Sequence, residues 1–140
     1  MIRIVLDTNV LISGMINPHG APGRIVDLVR EGIVELVVDD RILAEYSDVL
    51  NRPKFKSYFQ SSDAQDILVF LSHSVHYVVS ITHVTDIPDL DDAPFLEVAL
   101  TAEVTLVTGN APHFPVQYRN RITISSPAEF ICHHNTNKEP

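Results

Sequence analysis

A chain of 140 residues with 45% hydrophobic content is long enough for one domain around one sizeable core, and too apolar to stay disordered. Its formal net charge of −8 and pI of about 5.2 exclude indiscriminate electrostatic binding to nucleic acid or to an anionic membrane. No apolar run approaches the ~20 residues of a membrane span, no secretory signal is expected at the N-terminus, and the lone Cys132 forbids an internal disulfide, which favours a reducing cytoplasm.

Ile2 to Leu6 is an apolar run broken only by Arg3, and it reads as a strand buried on both faces. Asp7 then stands at its carboxyl end, the edge where open α/β sheets bind ligands. Asn17 to Gly23 is a cluster of breakers and reads as a flexible loop. Arg24 to Glu31 has apolar residues at helical spacing, with Gly32 as its C-cap. Glu35 to Val38 is a short strand, and Asp39-Asp40 caps a helix from Arg41 to Leu50. A short helix over Phe55 to Phe59 and another over Ala64 to Ser72 follow, then strand character from His76 to Ile81. Asp86 to Asp92 is a polar loop before a helix from Pro94 to Ala102, whose proline stands in the first turn. Val104 to Val107 is a second buried strand, ending at Thr108-Gly109-Asn110. A last strand at Arg121 to Ile124 and a short helix at Ser126 to Ile131 complete a domain over 1–132, leaving 133–140 as a frayed polar tail. Short strands alternating with helices predict a parallel sheet between helices, with all carboxyl ends on one edge.

Three acids fall at that edge. Asp7 ends the first strand, Glu45 lies on the helix after the second, and Asp92 opens the helix before the fourth, with Asp89 and Asp91 just upstream. Each has a plainer reading: a loop cap, a solvated helix residue, and a helix N-cap using the helix dipole. Grouped carboxylates need a counter-charge, which a divalent cation supplies. Hard cations choose oxygen donors, and Mg²⁺ needs only one or two carboxylates directly. Three acids held together also repel, which predicts raised carboxylate pKa values without metal.

The stretches Asp7-Thr8-Asn9-Val10-Leu11-Ile12-Ser13, Glu45, Asp92-Ala93-Pro94-Phe95-Leu96-Glu97-Val98-Ala99 and Leu106-Val107-Thr108-Gly109-Asn110 with His113-Phe114-Pro115 resemble the PIN-domain family. The nearest group within it is the bacterial one described as toxin components of toxin–antitoxin systems. The resemblance implies a three-layer α/β/α sandwich with a central parallel sheet, and a Mg²⁺- or Mn²⁺-dependent endoribonuclease acting on RNA. It implies Asp7, Glu45 and Asp92 as the catalytic metal-site acids, supported by Asn9 and Thr108. Many relatives carry aspartate at the position of Asn110, so this chain is one charge short of a four-acid, two-metal site, and Asp91 is the residue able to compensate. The resemblance also implies a cognate antitoxin and a homodimer; Tyr58, Phe59 and Phe70 read either as its interface or as core.

Arg24, Arg41 and Arg52 lie on or beside helices near the expected edge and are candidates for phosphate contacts, although surface solvation accounts for them equally. His113 is a candidate phosphate contact or an ordinary loop histidine. The seven histidines hold no His-x-x-x-His pair, and with one cysteine a structural zinc site is not expected. Asn9 stands where a phosphatase using Asp7 as nucleophile would want a second aspartate, and none of Lys54, Lys56 and Lys138 stands near the end of the last strand as a receiver domain would require. No phosphate-binding Gly-Lys-Ser/Thr follows Gly20 to Gly23. The rival reading is a non-catalytic PIN-like module that binds RNA or protein. Asn110 favours that rival, and the retained trio of acids favours the enzyme.

Overall fold

The computed structural model describes residues 1–138, with side-chain placement through residue 136. The sheet holds five parallel strands: β1 (Ile2–Leu6), β2 (Val34–Val38), β3 (His76–Tyr77), β4 (Thr105–Val107) and β5 (Ile124–Ser125), in the order β3-β2-β1-β4-β5. The helices are α1 (Thr8–Ile16), α2 (Ala21–Arg30), α3 (Asp40–Leu50), α4 (Ser61–Ser74), α5 (Ala93–Ala102), α6 (Val116–Arg119) and α7 (Pro127–Lys138). Helix α2 packs on α1, β2 and α7, while α5 lies against β1, β2 and β4 and touches α3. This is the expected α/β/α sandwich around a parallel sheet.

The buried strands explain the apolar runs. Ile4, Val5 and Leu6 are solvent-inaccessible, as are Val37 and Val38, because helices cover both faces. Helix α5 is buried almost all round, from Phe95 to Leu100, as its apolar composition requires. Caps set the boundaries. Asp39 accepts the Ile42 N–H at 3.1 Å to start α3, and Gly32 takes φ +77° just past α2.

The strand order reverses between β1 and β4. Successive strands run outward from β1 to β2 and β3, then the chain returns to the other side of β1 for β4 and β5. In sheets of this kind the crevice at the carboxyl ends of the two strands flanking the reversal is the natural binding site. Asp7 follows β1 and Thr108 follows β4, so both stand at that crevice.

Several elements depart from the sequence reading. The strand expected over His76 to Ile81 pairs only at His76–Tyr77. Beyond Val78 the chain leaves the sheet and is held to α5, with the Ile81 N–H and the Thr82 hydroxyl on Thr101 and the Val84 N–H on Glu97. The breaker cluster does not reach Gly23, which lies inside α2: a short helix N-terminus tolerates Pro22, and Gly23 lets the Pro18 backbone come close. Phe55 to Phe59 forms only a 3-10 turn at Pro53–Phe55. The segment from His133 is not a frayed tail, since α7 continues to Lys138 and rests against α2; residues 139–140 lie outside the described residues. Phe59 and Phe70 pack against the core while Tyr58 is exposed. Among the described residues no helix is long and apolar enough to cross a membrane.

Candidate active site

Asp7 caps α1 and is almost fully buried, at 6% exposure. Its N–H donates to the Val107 carbonyl at 3.0 Å, carrying the β1–β4 pairing one residue past the strands. The Thr108 hydroxyl donates to Asp7 Oδ2 at 2.8 Å, and the Asn110 N–H donates to the Thr108 hydroxyl oxygen at 3.1 Å. Asp7 Oδ1 accepts only a long contact, 3.4 Å, from the Asn9 N–H, and the Asn9 side chain is exposed. The carboxylate is therefore oriented through one oxygen and weakly engaged at the other.

Glu45 reaches the same crevice from α3. Its Oε2 accepts a hydrogen bond from the buried Thr8 hydroxyl at the start of α1. The next residue, Tyr46, is fully buried and donates its hydroxyl to the Leu6 carbonyl at 2.5 Å, pinning α3 to the end of β1. Burial drives the Tyr46 phenol well above its ordinary pKa, helped by the negative fields of Asp7 and Glu45, so it stays a neutral donor.

Asp92 stands at the N-terminus of α5 with no side-chain capping bond. Its carboxyl is pushed up to about 6, chiefly by desolvation and then by the charges of Asp7, Asp89, Asp91 and Glu45. The acids expected to share a site thus act on one another in the fold. Asp92, Asp89, Asn110 and His113 line a cleft of about 200 Å³ floored by Ile87 and Phe114. A larger hollow of about 740 Å³ lies beyond the start of α3 and is bounded by Asp39, Arg41, Glu97 and the 77–83 segment, away from Asp7 and Asp92.

Among the described residues no three His, Cys, Asp or Glu side chains converge closely enough to enclose a metal ion. The donor chemistry still fits a hard divalent cation, because Mg²⁺ and Mn²⁺ accept one or two carboxylates and complete their shells with water. The raised Asp92 pKa comes first from burial and then from the charges of Asp7, Asp89, Asp91 and Glu45, the part that a bound cation would offset.

The three arginines are committed to carboxylates. Arg24 meets Glu31 at 3.5 Å and Arg52 meets Asp48 at 3.1 Å, both pairs on the surface. Arg52 lies past the last turn of α3, about 10 Å along the axis from Glu45, so the fold does not bring it to the acids. Arg41 bridges Asp39 and Glu97. His113 does border the cleft. Sequence reasoning gave no role to Tyr46 or to Glu97, which is 3% exposed. Glu97 had a legible signal: an acid inside an otherwise apolar, fully buried helix must have a partner.

Without metal, the Asp92 shift makes stability depend on pH. Its folded pKa lies above the unfolded value, so the folded state holds a proton that the unfolded chain has lost. Stability is therefore expected to fall as pH rises from about 4 through about 6. Asp92→Asn removes this contribution. Urea unfolding in EDTA at pH 4.5 and pH 7 should show the variant gaining on the parent chain at the higher pH; an unchanged difference contradicts the assignment.

A model of the family described as PIN domain matches residues 3–111. An uncharacterized protein of Methanocaldococcus jannaschii, MJ1680, is 29% identical over 139 residues, which cover 93% of this chain and 90% of that protein. A chain in the crystal structure of VapBC2 from Rickettsia felis, bound to a DNA fragment from their promoter, superposes with a TM-score of 0.50 at 15% identity. That match covers 90% of this chain and 98% of the other, and it shows a shared fold.

Proposed function

We propose that this chain, which belongs to the PIN-domain family, is a Mg²⁺- or Mn²⁺-dependent endoribonuclease and the toxin of a toxin–antitoxin pair. PIN domains are generally nucleases, and the observation that supports the reading for this chain is geometric: Asp7 held by Thr108 and Glu45 held by Thr8 at the strand-order reversal, with Asp92 lining a cleft beside Asn110. Asp7, Glu45 and Asp92 would hold the cation. Bound there, a divalent ion supplies Lewis-acid stabilisation of the charge that develops on a phosphodiester. The chain's own hydroxyls do the orienting: Thr108 fixes Asp7, Thr8 fixes Glu45, and Tyr46 fixes α3 against β1. Asp91 is exposed beside Asp92 and adds to its negative field. His113 and Asn110 line the cleft and would meet the substrate.

The partner protein and the compartment rest on likeness. One solved structure with this fold is that of VapBC2 bound to a DNA fragment from their promoter, and by analogy a cognate antitoxin is the proposed partner, in the cytoplasm. A homodimer is proposed on the family resemblance alone. The rival reading, a non-catalytic binding module, is favoured by Asn110 standing where an acid would complete a second metal site.

A panel of structured and single-stranded RNAs, incubated with Mn²⁺, Mg²⁺ or EDTA, tests the reading. Cleavage in Mn²⁺ that EDTA abolishes is expected. A metal present at 100 times its Kd should also add about 2.7 kcal/mol to stability. No cleavage, with no metal-dependent change in melting temperature, moves the assignment to the binding module.

A further inference from the structure

Arg41 stands one helical turn before Glu45, on the same face of α3. Its guanidinium joins two carboxylates: Nε donates to Asp39 Oδ2 at 2.8 Å, and Nη1 donates to Glu97 Oε1 at 2.7 Å. Asp39 is the cap of α3, so that end of the fork grips the helix carrying Glu45. Glu97 belongs to α5, five residues beyond Asp92, and its side chain is 4% exposed. Its other oxygen accepts the Val84 N–H at 2.8 Å, and His83 Nδ1 lies 3.5 Å from it. Val84 begins the stretch that leads through Asp89 to Asp92. The ion pair therefore ties together the helix that carries Glu45, the helix that Asp92 opens, and the segment entering that helix.

Stability alone gives little reason for the pair. The Arg41 side chain is 47% exposed and that of Glu97 4%, so solvent screens much of their attraction, and α5 is otherwise apolar. A charged fork differs from a leucine in fixing a distance, because two planar groups at hydrogen-bond range leave little freedom to slide. The neighbouring contacts already lock two sides of the site: Tyr46 holds α3 to β1, and Thr108 holds Asp7 to β4. The side between α3 and α5 is held by Arg41 and Glu97.

We propose that Arg41 is a positioning residue: through Glu97 it sets the separation of Glu45 from Asp92, and with it the affinity of the acid site for a divalent cation. The inference rests on the metal-site reading above. It has a distinguishing sign. Removing a positive charge near a cation site should strengthen cation binding by Coulomb's law. Loss of position should weaken it.

The experiment is calorimetric titration of Mn²⁺ into the folded chain and four variants, each checked by circular dichroism. Arg41→Gln is expected to weaken Mn²⁺ binding by about 10-fold or more, the usual cost of losing a group that orients ligands from behind. Arg41→Lys, which keeps the charge and loses the fork, should fall between. Arg24→Gln, in a surface pair, and Val49→Ala, a core truncation on α3, should stay within about 2-fold, well below the cost of a lost orienting group. The Val49 variant separates lost position from lost stability. Binding by Arg41→Gln equal to or tighter than that of the parent chain overturns the proposal while leaving the metal site standing. If Arg41→Gln does not fold, Arg41→Lys decides, and parent-like affinity overturns the proposal. No Mn²⁺ binding by the parent chain defeats the metal-site reading itself, and the positioning role with it.

Discussion

Asp7→Asn is expected to abolish metal-dependent RNA cleavage while leaving the fold intact or firmer. Asparagine caps a helix about as well as aspartate, so the start of α1 survives. Its single amide oxygen can keep the Asn9 N–H contact while its NH2 donates to the Thr108 hydroxyl oxygen, replacing the bond that Thr108 now donates to Asp7 Oδ2 at 2.8 Å. What disappears is a buried negative charge that repels Asp92. In EDTA the variant should therefore melt at or above the temperature of the parent chain. The rate of RNA cleavage in Mn²⁺ should drop roughly 10²- to 10³-fold, the scale seen when one preorganised charge-bearing group is removed from an active site. The Mn²⁺-induced rise in melting temperature should shrink with it. Equal cutting by both chains would mean that the activity belongs to a contaminant or that Asp7 is not part of the site.

Gly23→Ala should destabilise the protein, against the direction that helix propensity gives. In an unhindered helix alanine is better than glycine by about 1 kcal/mol. Here a β-carbon on Gly23 would stand 2.3 Å from the Pro18 carbonyl oxygen, 2.4 Å from its carbon and 2.5 Å from its Cα. All three are backbone atoms and cannot swing aside as a side-chain tip would. The loop must move off α2, or α2 off α1, where Gly14 makes a second close approach to Pro22 and Val26. Overpacking of this kind costs about 1–3 kcal/mol and sometimes more, and the upper part of that range is expected. Gly109→Ala is the control, since nothing lies within 4 Å of the added carbon there. Its effect should stay within about 0.5 kcal/mol. Urea unfolding of both variants measures the difference. A stabilised Gly23→Ala would show that the α1–α2 approach is looser than the structure has it.

The legible parts of the site were those written locally. An apolar run ending in an acid marked Asp7, because strands covered on both faces leave no place for an idle charge. The Asp39-Asp40 cap and the proline in the first turn of α5 marked helix starts, and with them Glu45 and Asp92. The parallel pairing puts the carboxyl ends of β1, β2 and β4 on one edge, where Asp7 stands. The length of β3 was not legible. His76 to Ile81 has the composition of a strand, yet pairing stops at Tyr77 because Thr101 and Glu97 capture the backbone that follows. The extent of α7 was hidden for the opposite reason. His133 to Thr136 is polar and a weak helix former, and it continues a helix, α7, that as a whole packs on α2.

Arg41 and Glu97 mark the boundary between the two kinds of information. In the sequence one is a cation near a helix start and the other an acid in an apolar segment, 56 residues apart. Periodicity and capping determined the strands and helices α2, α3 and α5 and their order, because those rest on contacts within a few residues, whereas α1 and α6 were not read from the sequence. The partner of each charge, the shortened third strand and the tight seat of Gly23 were decided by the tertiary structure. They depend on which surfaces meet once the helices pack, and a buried charge or a crowded backbone has its cost set by neighbours that are distant along the chain.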